Sequence, residues 1–494
     1  MLKSIKKNSI LLTIFCVIPC IALAQQVNTL YFMDNVPLRH TLNPAFQPVQ
    51  QLYISLPIIG FTKMSIGNNS IALKDVIYNY NGQTVSFAHP TGGNEDKFYR
   101  TLHSTTSIST SLETNLLSFG FKHNTAFWSF TLTERFQSVI DIPKDVFQLG
   151  LYGTPSLLNN KFNFVSFQTD ESLYTEAALG YAKKLNKKWS VGAKLKYLYG
   201  SANFSNSNKA IKLNAGFDKW TIVGEGLANY SSPVEVNIAP DFKSMTYKLP
   251  DNTSDWLKRS GAGAGVDVGI TYKATDKITL SAALIDLGFI NWKKNPVNVN
   301  YKTNFSFDGI PIIDSLRTLT NANNVINRYS SGTVLSDSVL AAFDSASTYA
   351  STKKKYTTYT PTDLNIGAEY SLLDNKLSVG LLSRTQVFKK IVTEEVTISI
   401  NARPSDWFNA SLSTSLFEGR LSSVGAGVGL RTGFVHWFLA ADYIAFQLST
   451  YRGFPIPYTT KTFNLALGIN LVFDKIVPTF GLHKNAVKKD CNCL

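Results

Sequence analysis

Apolar and polar residues alternate along much of this chain, and the stretch Leu173 to Tyr199 shows the pattern at full length. Leu173, Thr175, Ala177, Leu179 and Tyr181 share one face, and Tyr174, Glu176, Ala178 and Gly180 share the other. After the polar turn 183–188, Trp189, Val191, Ala193, Leu195, Tyr197 and Tyr199 alternate with Ser190, Gly192, Lys194, Lys196 and Leu198. Side chains on a strand point to opposite faces at period 2, so this stretch predicts a hairpin with one apolar and one polar face.

The pattern recurs to Phe473. Leu117, Phe119 and Phe121 lead through the turn 123–125 to Trp128, Phe130 and Leu132. Val266, Val268, Ile270 and Tyr272 oppose Asp267, Gly269 and Thr271, then return through Ile278, Leu280, Ala282 and Leu284. There the apolar set changes phase to Ile285, Leu287 and Phe289, which predicts a bulge near Asp286. From residue 364 the hairpins are dense, with Glu369, Arg431 and Asp442 on polar faces, and the last strand runs from Phe463 to Phe473. About 14 strands result, 12 to 16 being compatible with the pattern.

Between the strands lie mixed segments. Leu52 to Phe61 is the first strand candidate, and short helices are predicted at Glu95–Leu102 and Pro143–Leu151. Ile211 to Tyr230 reads as a weaker pair. Residues 231–260 and 293–360 read as long polar connections, the second with one short helix at 336–345.

The chain opens with Met1-Leu-Lys-Ser-Ile-Lys-Lys, an apolar run from Ile10 to Leu23, and Ala22-Leu23-Ala24. A basic start, a short apolar run and small residues at −3 and −1 predict a secretory signal peptide, 1–24, cleaved after Ala24. Cys16 and Cys20 would leave with it. No later apolar run approaches the roughly 20 residues of a spanning helix, so an exported chain of this pattern enters a membrane only as a closed barrel. The predicted fold is therefore all-β: a transmembrane antiparallel β-barrel of about 14 strands with a small N-terminal helical plug, its apolar face towards lipid and its polar face lining a lumen.

That inversion gives the candidate residues their places. Glu176, Lys194, Lys196, Asp267, Glu369, Arg431 and Asp442 become lumen-facing. Trp128, Tyr181, Trp189, Tyr272, Tyr370, Trp407 and Trp437 lie beside short turns, and Trp292 beside a long connection, as aromatic girdles would. The short turns are then periplasmic and the long connections extracellular. Asn43 followed by Pro44 reads as an N-cap with proline at the first helical position, so Asn43, Pro44, Ala45 and Phe46 mark the plug in segment 25–50. That segment either enters the barrel or braces its periplasmic end. The barrel proper spans 51–473, and 474–494 form a tail carrying Cys491 and Cys493.

The net charge of +14 and a pI near 9.3 do not indicate nucleic acid, because the lysines are scattered and the chain is exported. The six histidines show no metal spacing, and Gly261–Gly265 and Gly425–Gly429 have strand periodicity, not that of a phosphate loop. Neither the adjacent His103 and Ser104 nor His436 with Asp442 makes a catalytic constellation. No cofactor and no enzymatic activity are indicated.

The segments Asn28-Thr-Leu-Tyr-Phe-Met-Asp-Asn-Val-Pro37, Leu42-Asn-Pro-Ala-Phe46 and Ile285-Asp-Leu-Gly-Phe-Ile-Asn-Trp292 resemble an uncharacterised family of Gram-negative outer-membrane proteins, a domain of unknown function. That family looks like a relative of FadL-like barrels, in which an Asn-Pro-Ala segment similar to residues 43–45 belongs to an N-terminal hatch. The resemblance implies a 14-stranded barrel with a plug in the outer membrane. The expected role is porin-like passive transport of a small molecule, a hydrophobic one included. The alternative is a barrel without transport that serves surface or secretion machinery as a partner. A secreted β-sandwich adhesin is the third reading.

Overall fold

The computed structural model describes residues 27–474 apart from 155–159, 217–218, 239–243, 257, 308–345, 389–390, 418–419, 443–447, 452–453 and 458–460. The predicted signal peptide, the helix at 336–345 and the cysteine tail lie outside the described residues.

Fourteen antiparallel strands close into a barrel. They are β1 (Leu52–Ser55 with Thr62–Asn68), β2 (Thr105–His123), β3 (Ala126–Pro143), β4 (Gln168–Lys184), β5 (Trp189–Ala215), β6 (Gly261–Lys273) and β7 (Ile278–Trp292). The second half comprises β8 (Thr362–Leu372), β9 (Leu377–Phe388), β10 (Ile391–Ser405), β11 (Phe408–Phe417), β12 (Arg420–Thr432), β13 (Val435–Asp442) and β14 (Thr462–Phe473). Each pairs with its neighbours in sequence, and β14 closes on β1 through Leu52 opposite Phe473 and Thr62 opposite Leu467. Among the described residues the closed ring leaves no barrel strand without a neighbour on either side, which is what a wall facing lipid requires.

The alternation sorts side chains as the sequence pattern predicts. Leu179, Leu195, Ile366, Ile400 and Leu412 stand exposed on the outside, Leu195 at 68%. Tyr174, Glu176, Ala178, Lys194 and Lys196 are buried on the inner face of the same hairpin. An apolar outer belt around a polar interior is the geometry of a membrane-spanning barrel.

Three expectations need correction. The first strand is interrupted at residues 56–61, because Pro57 has no N–H to give the ladder and Ile58 takes a left-handed φ of 66°. Both halves nevertheless pair with β2 and β14. The predicted break at 293–360 contains strands: Val297–Phe307, Ser347–Thr352 and Tyr356–Tyr359, the last paired with the end of β7. The first two join Trp220–Ser231 and the far end of β5 in a sheet that extends the wall past β6. The first of them was legible, since Val297, Val299, Tyr301, Phe305 and Phe307 alternate with Asn298, Asn300, Lys302, Asn304 and Ser306, while the other two are short and carry few apolar residues. Finally, Asn43 does not cap a helix. Its Oδ1 accepts from the Ala45 N–H at 2.9 Å in a tight turn, and the helical turns are two short 3₁₀ segments upstream, Asn28–Phe32 and Pro37–Thr41.

The short helices lie at the long-connection end: α1 (Glu95–Thr101) and α2 (Lys144–Tyr152). Asn94 caps α1 through Lys97 N–H at 2.8 Å, and Phe98 packs edge-on against Phe147 of α2.

Candidate functional site

Most of residues 27–46 are buried against the inner face of the barrel, and Val49 beyond them is exposed. Val27, Leu30, Tyr31, Phe32, Met33, Val36, Leu38 and Leu42 are buried against inner-face residues Tyr53, Phe127, Leu382, Phe438 and Ala440. This apolar cluster is the packed core of a molecule whose strands otherwise turn their apolar side outward.

Inner-face glycines make the room. A methyl group at Gly380 would come to 2.5 Å from the Phe32 ring, and one at Gly427 to 2.6 Å from Met33 Sδ. Methyls at Gly192 and Gly269 would press on the backbone of Pro44 and the side chain of Asn43. Glycines on strands β5, β6, β9 and β12 thus form a seat for one segment, a use of strand glycine that follows from close backbone approach.

Polar contacts hold the segment at several points around the wall. Thr29 donates its backbone N–H to Asp442 at 3.3 Å and its hydroxyl to the same carboxylate. Asn28 Nδ2 donates to Thr397 at 3.0 Å, and Tyr31 shares a hydrogen bond with Ser281 at 3.0 Å. Asn365 Nδ2 donates to the Leu42 carbonyl at 3.0 Å, and His40 meets the Tyr53 hydroxyl at 2.7 Å. Arg403 Nη2 donates to the Phe32 carbonyl at 2.9 Å and pairs with Asp34 and Glu369. Arg39 pairs with Asp34 and lies 3.9 Å over the Phe46 ring. Burial, with Lys194 adding to it, holds the His40 imidazole well below its ordinary pKa.

Beyond this segment the interior carries a buried ionic network. Lys63 pairs with Glu113 at 2.6 Å, and Arg135 reaches Glu176 at 3.1 Å and Asp286 at 2.9 Å. Lys196 pairs with Asp267 at 2.7 Å and also with Asp286. Arg384 pairs with Asp363 at 2.8 Å. Buried charges this close to one another are retained only when paired, and here each carboxylate meets a cation.

The lumen-facing candidates divide accordingly. Glu176, Lys196 and Asp267 belong to the network, with Lys194 buried opposite Asp267 in the ladder. Asp442 and Glu369 engage residues 27–34 or the arginine that does so. Arg431 sits at the short-turn rim, where its guanidinium makes a bidentate pair with Asp474 at 2.9 and 2.8 Å. Arg135, Asp286, Lys63, Glu113, Asp363 and Arg384 were missed. The signal was available for Arg135, which stands in phase with Thr131 and Thr133 and out of phase with Phe130 and Leu132.

Among the aromatics, Trp128, Tyr181, Trp189, Tyr370, Trp407 and Trp437 are exposed on the outer face beside short turns, with Tyr272 partly so. Trp128 contacts Tyr181 with ring centres 4.6 Å apart, and Trp189 contacts Tyr272 at 4.3 Å. Trp292 differs. It is fully buried at 0%, packed with Tyr174, Leu198 and Ile290, and its Nε1–H donates to Thr358 at 2.9 Å. The bulge predicted at Asp286 is present, but Ile285 does not share the outward face of Leu287 and Phe289: the extra residue at the bulge turns both Ile285 and Asp286 inward. Leu287 and Phe289 are then outward, which puts Ile290 and Trp292 inside. The phase shift visible in the sequence already implied this.

Among the described residues, no group of three or more His, Cys, Asp or Glu is placed to hold a metal ion.

The family model for DUF5723 matches residues 44–442, most of the chain. The chain belongs to this family of unknown function. No curated protein matches it. Among solved structures it is similar to the Ralstonia pickettii toluene transporter TbuX, at 10% identity and a TM-score of 0.38, covering 88% of this chain and 93% of that one. A Pseudomonas aeruginosa FadL homologue aligns at 10% identity and a TM-score of 0.36, covering 92% and 100%. The translocator domain of the autotransporter NalP from Neisseria meningitidis aligns at 7% identity and a TM-score of 0.30, covering 90% and 96%.

Proposed function

We propose that this DUF5723 protein is an outer-membrane channel through which a small molecule passes without an energy source, with residues 27–50 as its plug. The apolar outer belt supports contact with lipid, and the aromatic residues beside the short turns support a girdle at one membrane interface. The secretory signal that the sequence predicts at 1–24 supports a Gram-negative outer membrane as the destination, with the short turns in the periplasm.

The observation that carries the reading is the seat itself. A wall that needs only mechanical strength would fill its interior with its own side chains. This wall instead keeps glycines at the contact points with a separate segment, which is covalently continuous with the barrel through β1. Passage requires that segment to shift.

The test is liposome swelling with purified full-length protein and with a variant lacking residues 27–50. Slow flux through the intact barrel and fast flux through the variant are expected. No flux through either, with both barrels folded by their heat-dependent migration in SDS, overturns the channel reading.

One observation favours the alternative, a barrel that serves surface machinery. The strands Trp220–Ser231, Val297–Phe307 and Ser347–Thr352 build a sheet beyond the closed wall, which a pore does not need. Absence of flux together with loss of a defined stoichiometric complex on deleting that sheet would replace transport with scaffolding.

A further inference from the structure

Three segments far apart in the chain bring cations together at the long-connection end of β6 and β7. Lys293 and Lys294 follow β7 directly, and both donate their backbone N–H to the Ser260 carbonyl, at 2.8 and 3.0 Å. They therefore lie beside Lys258 and Arg259. Lys353, Lys354 and Lys355 precede Tyr356, which stands opposite Trp292 in the ladder, so Lys355 adjoins Lys293. All of these except the half-buried Lys294 are exposed.

Carboxylates answer only two of these cations. Asp255 pairs with Lys258, and Glu235 lies 3.8 Å from Lys353. Arg259, Lys293, Lys294, Lys354 and Lys355 have no carboxylate within ion-pair distance among the described residues. Like charges collected in this way favour an anion that spans them.

The cations stand at the rim of the lipid-facing wall. Arg259 Nη1 donates to the Tyr197 hydroxyl at 2.5 Å, and Tyr197 is on the outer face in phase with Leu195. Tyr197, Ala264, Phe289 and Tyr359 form one outward row across β5, β6, β7 and the strand Tyr356–Tyr359, with Tyr359 at 71% exposure. Along β5, Tyr197 comes eight residues after the girdle residue Trp189. That is roughly 26 Å of strand at about 3.3 Å per residue. A tilt of roughly 40° puts the row about 20 Å above the short-turn girdle, near the far edge of an apolar band about 25 Å tall. A soluble anion would use the cations alone. A lipid would use both features, with phosphates on Arg259, Lys293 and Lys355 and chains on Leu195, Leu287 and Phe289. Cations on neighbouring backbone positions suit a headgroup with more than one phosphate.

We propose that this rim binds a glycolipid carrying more than one phosphate, in the leaflet on the long-connection side. The proposal rests on the outer-membrane placement with the long connections outside, and not on passage through the barrel.

Native mass spectrometry of the detergent-solubilised full-length barrel tests it. The probes are bisphosphorylated lipid A, phosphatidylglycerol, phosphatidylcholine and inorganic phosphate. Retention of lipid A is expected, about tenfold tighter than that of phosphatidylglycerol. The variant Arg259→Gln/Lys293→Gln/Lys355→Gln should hold lipid A at least about tenfold more weakly. Lys183→Gln/Lys187→Gln/Lys188→Gln removes as much charge from the short-turn rim and should leave retention as in the native protein. If the first variant lacks the heat-dependent migration of a folded barrel, Lys355→Gln alone is read. No retention of lipid A overturns the proposal. So does equal retention of phosphatidylglycerol, inorganic phosphate bound as tightly as lipid A, an unchanged first variant, or equal loss in both variants. Cell fractionation separates the site from the placement. A barrel found in the outer membrane that holds no lipid A sinks the site alone, and one found elsewhere sinks the placement.

Discussion

The backbone N–H of Asp286 donates to Asp267 Oδ1 at 2.7 Å across the β6–β7 bulge, so two aspartates that should repel are held side by side. The pair persists because Lys196 reaches both carboxylates and Arg135 reaches Asp286 at 2.9 Å. Asp286 also takes a left-handed φ of 61°, a conformation that Asp and Asn tolerate better than other residues with a Cβ. Asp286→Asn keeps that backbone and removes the charge, leaving Arg135 and Lys196 with fewer partners. Truncating one partner of a buried pair costs on the order of 3 kcal/mol. The variant should unfold at lower temperature in SDS, and Asp286→Leu, which adds backbone strain, should unfold lower still.

The glycine seat predicts a separation of plug from barrel. Gly192→Val places its side chain against Pro44, yet touches no other strand's pairing. The barrel should form with unchanged heat-dependent migration, while limited trypsin treatment of the folded protein should now cut at Arg39. The native protein, with Arg39 enclosed by Asp34 and Phe46, should resist that cut.

Arg403 ties the N-terminal segment to β8 through one guanidinium, which meets the Phe32 carbonyl, Asp34 and Glu369. Arg403→Ala removes these charge-assisted bonds, each worth about 1.5–3 kcal/mol in general. Since Ser378 still serves Glu369 and Arg39 still serves Asp34, the loss falls on plug docking. Single-channel recordings should show more frequent openings than in the native protein. An unchanged opening frequency would show that Arg403 does not hold the N-terminal segment in place.

Plug docking should weaken in acid. His40 is buried against Tyr53 and Phe127 with Lys194 as the nearby charge, and its pKa is depressed in the docked state. A released His40 takes up a proton below its ordinary value of about 6.5, whereas the docked imidazole does not. The docked state is therefore fully favoured above about pH 6.5 and loses stability as pH falls below it, until the docked pKa is reached. Recordings at falling pH should show more openings, and His40→Gln should flatten that dependence.

Trp292 and Trp407 predict opposite outcomes for the same substitution. Trp292→Ala empties a fully buried site and loses the bond to Thr358, so it should cost about 3–5 kcal/mol. Trp407 is 60% exposed on the outside, and its replacement by alanine should change SDS unfolding in detergent far less.

Most of the architecture was legible from residue order alone. Which side of the wall a residue faces is a local property of a strand, so the alternation around Leu179 and Lys196 was enough to place apolar residues outward and charged ones inward. The strand count and the bulge at Asp286 followed from the same period and its interruption. The sequence did not determine what fills the interior. Thr29 meets Asp442, Phe32 meets Gly380, and Arg135 meets Asp286 only because closure brings distant strands and the N-terminal segment into one space. Alternation says that a glycine or an arginine faces inward, but not what it faces there. The closed barrel decided that, by enclosing a polar interior in which Arg135 of β3 and Asp286 of β7, four strands apart, become partners.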